Sequence, residues 1–169
     1  MYGSRQYGNY TLACHFGTII GEERAGVLDF WTRNNALPPG ESAEQRVNQV
    51  VLTAWAKTAT RRVIGANSVY RERWGADGPE YYMYRTFIQP DHRRYGLSGV
   101  MLELAFEVLN RQYRAGEPVG LAFLTDNPKL QRPGAMILGK RKGWEHLGRG
   151  PLGRDLWRKL FSPAEVPVT

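Results

Sequence analysis

Residues 87–110 read FIQPDHRRYGLSGVMLELAFEVLN, and this stretch decides the fold. The end of a strand passes into a turn that contains Gly96 and Gly99, and a helix follows directly. Apolar residues of this helix recur at helical spacing, at Met101, Leu104, Ala105 and Val108. A helix that begins at a glycine-bearing turn presents its first backbone N–H groups and its positive dipole end to that turn. We therefore expect an anion, such as a phosphate group, to bind there.

Polar residues around the turn support this interpretation. Ser98 is the predicted N-cap of the helix, and Glu103 and Glu107 fall in its early half, where acidic side chains suit the dipole. Arg93 and Arg94 precede the turn and can add charge-assisted hydrogen bonds to phosphate. Taken alone, residues 93–98 have an alternative interpretation, a turn with glycine and solvated arginines that binds no ligand.

The segment Arg93–Ser98, RRYGLS, resembles the R/Q-x-x-G-x-G/A turn of GNAT-type N-acetyltransferases, with Ser98 where that family has Gly or Ala. The strand exit at Ile88-x-Pro90 is similar to the family's, and Asn127 and Lys142-Gly143-Trp144 resemble its later landmarks. In this order the landmarks span residues 81–161, about half of the chain.

The resemblance implies a mixed α/β (α+β) fold. Its centre is a mostly antiparallel, mixed sheet of about six or seven strands flanked by about four helices. Residues 1–169 are expected to form a single domain, with a loose arm at residues 1–9 and a tail at residues 162–169. The order of elements expected from the chain itself agrees: strand, two helices, three strands, helix, strand, helix, two strands.

Apolar and β-branched runs predict the strands at Tyr10–Ile20, Val50–Ala56, Val63–Tyr70, Tyr81–Ile88, Val119–Thr125, Trp144–Leu147 and Asp155–Phe161. Besides the main helix, helices are predicted from Glu22 to the break at Pro38, over Glu41–Gln49 and over Gly134–Arg141. The last of these has Pro133 at its first turn and Gly143 as its C-cap.

The ligand implied by the resemblance is acetyl-coenzyme A, with its diphosphate on the backbone amides from Arg94 to Gly99. The cofactor-binding residues on this basis are Phe87, Ile88, Arg93, Arg94, Tyr95, Gly96, Leu97, Ser98, Gly99, Asn127 and Lys140. A backbone amide near Phe87 or Ile88 would face the acyl carbonyl. Lys140 stands near the position where the family commonly has a tyrosine that protonates the coenzyme thiolate, and a lysine can stabilise that thiolate electrostatically.

The expected reaction is direct transfer of the acetyl group to a primary amine, which needs a base for the amine proton. Glu80 opens the strand near where the family often holds a glutamate, so it is the candidate base. Tyr84 is the second candidate catalytic residue, because alternation puts it on the face of Glu80 and Tyr82. A solvated Glu80 beside Pro79 and packing tyrosines are the alternative.

The three histidines add little to this hypothesis. His92 could take a proton near neutral pH, although its place in the turn favours a role in solvating the loop. His15 and His146 have no partner that can be identified from sequence. No spacing of histidines and carboxylates indicates a metal site.

Composition narrows the class of protein. Cys14 is the only cysteine, which excludes an internal disulfide and a cysteine-based metal cluster. No run approaches the roughly 20 apolar residues of a membrane span, and residues 1–10 lack the apolar core of a signal peptide, so we expect a cytoplasmic protein without membrane association. The net charge of +7 suits a polyphosphate cofactor, an acidic substrate or nucleic acid.

That charge leaves a second function open, a basic nucleic-acid-binding module. It would use Trp144 and Trp157 together with Lys140, Arg141, Lys142, Arg149, Arg154, Arg158 and Lys159. A third hypothesis keeps the transferase and makes its acceptor nucleic-acid-linked. The acceptor amine can belong to a small molecule, a protein or a nucleotide, and a homodimer stays open.

Overall fold

The computed structural model describes residues 3–58, 61–93 and 96–163. The strands within these residues are β1 (Arg5–Tyr7), β2 (Tyr10–Cys14), β3 (Val50–Ala56), β4 (Arg62–Arg73), β5 (Glu80–Ile88), β6 (Gly120–Thr125), β7 (Glu145–Arg149) and β8 (Asp155–Leu160). The α-helices are α1 (Gly21–Arg33), α2 (Ala43–Arg46), α3 (Leu97–Gln112) and α4 (Pro133–Arg141).

The strands form one sheet of eight in the order β1-β2-β3-β4-β5-β6-β8-β7. β5 pairs with β6 in parallel, through Tyr82 with Leu121 and Met83 with Ala122. The pairs β1–β2, β2–β3, β3–β4, β6–β8 and β7–β8 are antiparallel. The predicted mixed, mostly antiparallel sheet with four helices is therefore confirmed, with one strand more than expected.

The additional strand lies where a loose arm was predicted. Arg5 pairs with Leu12 and Tyr7 with Tyr10, so residues 5–7 close a hairpin onto β2. These polar and aromatic residues lack apolar alternation, and only the backbone hydrogen bonds offered by β2 make them a strand. β2 itself ends at Cys14 rather than Ile20. Residues 1–2 of the arm and 164–169 of the predicted tail lie outside the described residues.

The chain separates into two compact units, and the first comprises Met1–Val69 and Arg85–Leu109. Its core forms around α1, in which Phe30 and Trp31 follow Val27 by three and four residues, so that all three share a face and pack in one cluster with Val50 and Trp55. The glycine at position 26 lets α1 approach the sheet, because a β-carbon there would lie 3.2 Å from Trp55 Cη2.

A buried asparagine links β3, β4 and α3 in this unit. The register of β3 on β4 shifts between Val50 and Leu52. At this irregularity the side-chain Oδ1 of Asn67 accepts from the backbone N of Leu52 at 2.9 Å, and its Nδ2 donates to the backbone O of Met101 at 3.3 Å. Because buried polar groups need hydrogen-bond partners, these two bonds of the Asn67 amide hold the first turns of α3 in place.

The second unit comprises Tyr70–Tyr84 and Asn110–Thr169. Tyr81, Met83 and Ala122 form a buried cluster, and Trp74 stacks on Tyr81 with 4.1 Å between ring centroids. Gly139 of α4 lies directly against the indole of Trp157, since a β-carbon added there would be 2.9 Å from Cζ3. As predicted, Pro133 opens α4, and Gly143 follows its end with φ +80°.

No helix in the described part of the chain combines the length and apolar character needed to cross a bilayer.

Candidate active site

The turn before α3 leads directly into the first backbone amides of the helix. Gly96 has φ +71°, a conformation that favours glycine, and it reverses the chain into the helix. Among the described residues, the N of Val100 donates to the O of Gly96 at 3.0 Å in the first turn of α3. The N–H groups of Leu97, Ser98 and Gly99 precede that bond and have no carbonyl four residues earlier inside the helix. Amides at the start of a helix are the donors that the expected anion site would use.

Side-chain bulk is small at this end of α3. Gly96, Ser98 and Gly99 are exposed, whereas Leu97 is buried and anchors the first turn. A β-carbon added at Gly99 would meet no atom within 4 Å, so space is open in front of the helix. This geometry fits a diphosphate group, which binds through several backbone donors at once.

The predicted N-cap of α3 was wrong, and two of the predicted cofactor-binding residues of the turn lie outside the described residues. Ser98 is not the N-cap, because α3 already begins at Leu97 and Ser98 therefore lies in its first turn. Gly96, with its positive φ, is the residue directly before the helix and so occupies the cap position that was predicted for Ser98. Arg94 and Tyr95, predicted to bind the cofactor, lie outside the described residues.

The side chain of Arg93 is hydrogen-bonded to the end of strand β5. Arg93 Nε donates to the backbone O of Ile88 at 2.7 Å, and its guanidinium lies over the Phe87 ring at 5.3 Å. Ile88 is buried, and Gln89 continues the pairing of β5 through its N to the O of Ile64 at 2.8 Å. Arg93 is thereby held at the turn with its side chain exposed.

The N-terminal hairpin lies against the same turn, which the sequence did not indicate. Tyr10 Oη and His92 Nδ1 are 3.2 Å apart, and the two rings meet edge to face. A β-carbon at Gly96 would lie 3.6 Å from Tyr7 Oη. The hairpin residues Tyr7, Gly8, Asn9 and Tyr10 line a cavity of about 410 Å³. His92 thus packs on the hairpin instead of solvating the loop.

The candidate catalytic residues lie in the second unit. Glu80 is half-buried, and its Oε2 lies 3.6 Å from Arg71 Nη1. Its backbone O accepts from the N of Val119 at 2.8 Å, which fixes the start of β5. Tyr84 is buried four residues further along the strand. Glu80 therefore has a defined position and a cationic neighbour.

The remaining predicted cofactor residues also belong to the second unit. Asn127 Oδ1 accepts from the N of Lys129 at 3.1 Å and so caps a short 3₁₀ turn over Pro128–Gln131. Lys140 lies in the last turn of α4 and is exposed. The sequence interpretation did not foresee the local capping role of Asn127.

Two histidines that were left without partners have them. His15 is buried with Nε2 2.7 Å from Thr53 Oγ1 and Nδ1 3.5 Å from Glu23 Oε2. Burial lowers the pKa of His15, the Glu23 carboxylate opposes that shift, and Arg61 adds to it. These partners lie 8 and 38 positions away, beyond what local spacing reveals.

His146 belongs to a second network, in the other unit. Its Nε2 lies 3.0 Å from Asp155 Oδ1, while Gln131 Nε2 donates to Asp155 Oδ2 at 2.7 Å. The hydrogen bonds from Gln131 and then His146 lower the pKa of the buried Asp155 carboxyl. No group of three or more His, Cys, Asp or Glu residues in the described chain is arranged to hold a metal ion.

An ionic cluster in the first unit was missed altogether. Glu41, in the loop before α2, accepts from Arg46 Nη1 at 2.8 Å through one oxygen and from Arg85 Nη1 at 2.5 Å through the other. Nothing in the sequence pairs Arg85 with Glu41, because the two residues lie 44 positions apart.

The proposed nucleic-acid surface does not form as expected. Trp144 and Trp157 are 4% and 3% exposed and therefore offer no face for base stacking. Arg158 is hydrogen-bonded to Glu145 at 2.7 Å and to Tyr81 Oη at 2.9 Å, and Arg154 pairs with Asp126 at 3.1 Å. The two tryptophans are therefore packing residues of the core.

In comparisons by sequence, no protein-family model and no curated protein matches the chain. Solved structures match its fold. An acetyltransferase of the GNAT family from Streptococcus pneumoniae has a TM-score of 0.57 at 14% identity, covering 90% of this chain and 99% of that one. Ribosomal-protein-S5-alanine acetyltransferase from Vibrio fischeri has a TM-score of 0.57 at 13% identity, covering 94% and 96%.

A third structure, a GNAT superfamily phosphinothricin acetyltransferase from Sinorhizobium meliloti in complex with AcCoA, has a TM-score of 0.60 at 12% identity, covering 93% of this chain and 94% of that one. Because each similarity covers nearly the whole of both chains, this chain has the GNAT fold. The expected fold is confirmed, and no comparison supports the nucleic-acid-binding alternative.

Proposed function

We propose that this chain, which has the fold of GNAT acetyltransferases, is an N-acetyltransferase that moves the acetyl group of acetyl-coenzyme A to a primary amine. The observation that carries the proposal is the start of α3, where the backbone amides of Leu97, Ser98 and Gly99 lie in the first turn of the helix and the residues Ser98 and Gly99 are exposed. Backbone donors of this kind bind a diphosphate, and acetyl-coenzyme A contains one.

The residues around these amides suit the polyanion. Gly96 and Gly99 keep side chains away from the donors, and Arg93 adds a cation whose position is held by Ile88. Arg94 and Tyr95 complete the proposed turn by their place in the sequence. Asn127 and Lys140 are proposed to bind the cofactor arm and to stabilise its thiolate, respectively.

Acetyl-coenzyme A, when bound, supplies an acetyl thioester whose C–S bond breaks as the amine nitrogen bonds to the acetyl carbon. A backbone N–H near Phe87 or Ile88 is proposed to stabilise negative charge on the acyl oxygen. Glu80 is proposed to accept the proton that the amine loses, and Arg71 at 3.6 Å holds its carboxylate in place. Tyr84 follows on the same face of β5 and is proposed to donate a proton toward the thiolate.

A thermal-shift titration with acetyl-coenzyme A, combined with an assay of released thiol against a panel of primary amines, tests the proposal. We expect saturable stabilisation by the coenzyme and amine-dependent thiol release. Gly99→Glu should abolish the stabilisation, because it sets a carboxylate beside the proposed amide donors in space that is open.

The matched control is Gly134→Glu, since Gly134 also lies in the first turn of a helix with nothing within 4 Å of an added β-carbon. This variant should bind the coenzyme as the unaltered protein does. Equal binding by both variants would remove the α3 turn from the site, and no binding by the unaltered protein would overturn the proposed function.

A further inference from the structure

A cavity of about 410 Å³ lies at the N-terminal hairpin of the first unit. The described residues that line it are Tyr7, Gly8, Asn9 and Tyr10. Its volume falls within the range of small-molecule sites, roughly 300 to 1,000 Å³. Two aromatic rings and one amide side chain give it the mixture of apolar surface and a few polar groups that such sites have. The cavity therefore has the size and the chemistry of a ligand site.

Tyr7 and Tyr10 form a pair across the hairpin. Their Cα atoms lie opposite each other in the register of β1 on β2, so the two side chains project from the same face of the sheet. Both residues are half-buried, which leaves part of each side chain open to a ligand. Aromatic side chains of this kind bind planar heterocycles, such as nucleic-acid bases, by stacking.

Contacts on two sides hold the hairpin in position. The backbone N of Lys57, the residue after β3, donates to the O of Asn9 at 3.0 Å. On the other side, Tyr10 Oη lies 3.2 Å from His92 Nδ1, and the two rings meet edge to face. A site that is already ordered costs a ligand less entropy on binding, so these contacts favour tight binding in the cavity.

The cavity lies beside the turn that precedes α3. His92 belongs to the short 3₁₀ segment that leads into this turn, and a β-carbon at Gly96 would lie 3.6 Å from Tyr7 Oη. The same turn is the proposed site of the coenzyme diphosphate. In coenzyme A the diphosphate is bonded to the ribose of an adenosine that carries a 3′-phosphate, so the base is only one sugar away from the diphosphate. The hairpin supplies an aromatic surface at this place.

A cation stands at the turn of the hairpin. Lys57 is exposed, and it forms no ion pair with any residue that the structure describes. Its backbone is bound to Asn9, which lines the cavity. An ammonium group without a carboxylate partner attracts a phosphate monoester, such as the one at the 3′ position of the coenzyme ribose.

We propose that the N-terminal hairpin binds the nucleotide end of the coenzyme, with the adenine base against Tyr7 and Tyr10 and the 3′-phosphate at Lys57. The inference rests on the proposed function and adds the part of the coenzyme that this chain recognises. It also gives a role to β1, the strand that was not expected, because β1 carries Tyr7 to the turn.

Isothermal titration calorimetry with three ligands tests the inference. Coenzyme A carries the whole nucleotide, dephospho-coenzyme A lacks the 3′-phosphate, and 4′-phosphopantetheine lacks the nucleotide. We expect coenzyme A to bind the unaltered protein at least about tenfold more tightly than 4′-phosphopantetheine. Because 4′-phosphopantetheine also lacks one phosphate of the diphosphate, variants are needed to assign the difference to the hairpin.

The tyrosine variants assign the base. Tyr7→Ala and Tyr10→Ala should each weaken coenzyme A binding at least about tenfold and leave 4′-phosphopantetheine binding within about twofold, because only the stacking surface is lost. The matched control is Tyr10→Phe, which keeps the ring and removes the hydroxyl group near His92. It should retain coenzyme A affinity within about threefold.

The lysine variant assigns the phosphate. Lys57→Gln should weaken coenzyme A binding about fivefold or more and leave dephospho-coenzyme A binding unchanged, because the latter has no 3′-phosphate to lose its partner. The control Arg24→Gln removes another cation of the first unit, paired with Glu44 at 2.6 Å, and should affect neither ligand.

Two outcomes overturn the inference alone. One is unaltered coenzyme A affinity in Tyr7→Ala and Tyr10→Ala, and the other is an equal loss of coenzyme A and 4′-phosphopantetheine binding in variants that melt like the unaltered protein. If the alanine variants fail to fold, Lys57→Gln decides, since Lys57 is exposed, and equal effects on coenzyme A and dephospho-coenzyme A then overturn the inference. Absence of binding of all three ligands to the unaltered protein would instead refute the proposed function.

Discussion

The Nε atom of Arg93 donates a hydrogen bond of 2.7 Å to the backbone oxygen of Ile88, the last residue of β5. The bond closes the short 3₁₀ turn over Pro90–His92, so the chain folds back over the strand end before it enters α3. A charge-assisted bond to a carbonyl is stronger than a neutral one, which makes Arg93 a support for the turn as well as a cation beside it.

Arg93→Ala should therefore weaken acetyl-coenzyme A binding about tenfold or more, because both the support and the charge are lost. Arg93→Lys keeps the charge and loses the guanidinium fork, so an intermediate affinity is expected. Isothermal titration calorimetry measures both, with Arg24→Ala as the control for net charge. Unaltered affinity in Arg93→Ala would exclude the residue from the site.

The two glycines of the turn should respond differently to alanine. Gly96→Ala places a side chain at φ +71°, which should destabilise the fold by about 1 to 2 kcal/mol. Gly99→Ala lies in the helix with open space around the new methyl group, so stability should be unchanged or higher by up to about 1 kcal/mol. Urea unfolding measures both, and equal destabilisation would contradict the assigned backbone conformation.

Glu80→Gln should lower kcat about a hundredfold or more at neutral pH and leave coenzyme affinity near normal, because the amide cannot accept the amine proton. Glu145→Gln is the matched control, since Glu145 is also paired with an arginine, Arg158, in the same unit. Thiol-release kinetics and calorimetry provide the two readouts. Turnover that is unchanged in Glu80→Gln would remove Glu80 from the mechanism.

Acid should destabilise the first unit through His15. Burial lowers the pKa of His15 below its ordinary value of 6.5, so the native state favours the neutral ring and the unfolded chain binds the proton more readily. Stability is then complete above about pH 6.5 and falls as the pH drops from there toward the folded pKa.

Melting temperatures between about pH 7.5 and pH 5 should accordingly fall less in His15→Gln than in the unaltered protein. His92→Gln removes a different histidine and controls for the general effect of losing one. The groups that face His15 are Thr53, Glu23 and Arg61, of which Glu23 opposes the shift. Parallel pH profiles for all three proteins would show that His15 is not responsible.

The contact of α4 with Trp157 should be sensitive to one methyl group. Gly139→Ala puts a β-carbon 2.9 Å from Trp157 Cζ3, and the indole is buried, so we expect a loss of about 1 to 3 kcal/mol. Gly134→Ala, in the same helix, meets nothing within 4 Å and should be neutral or slightly stabilising. Indistinguishable urea midpoints for the two variants would disprove this packing.

Local pattern was sufficient for most elements. The apolar period of residues 101–108 predicted α3, and Pro133 marked the start of α4, because helix periodicity and proline act over a few residues. The predicted end of α1 at Pro38 was wrong, since that helix ends at Arg33. The position of Ser98 was misjudged, since glycine at positive φ, not a side-chain cap, begins the helix. Strand β1, in the predicted loose arm, was not foreseen because it depends on β2 for its hydrogen bonds.

In the candidate site, too, local features could be predicted from the sequence and contacts between distant residues could not. The turn with Gly96 and the helix after it could be predicted, because glycine conformation and helix periodicity are local properties, and the anion site at this turn stays a prediction. The partners of His15, His146 and Arg85 were not, as each contact joins segments that only the folded sheet brings together.

The sequence by itself determined the order of strands and helices from β2 onward, the glycine turn and the helix that follows it, since each depends on interactions between residues close along the chain. Tertiary structure alone decided that a hairpin lies against the turn, that Trp144 and Trp157 are buried and that Glu41 joins Arg46 to Arg85. Side-chain hydrogen bonds and ion pairs act over a few ångströms, and which distant residues meet at that range depends on strand register and helix packing.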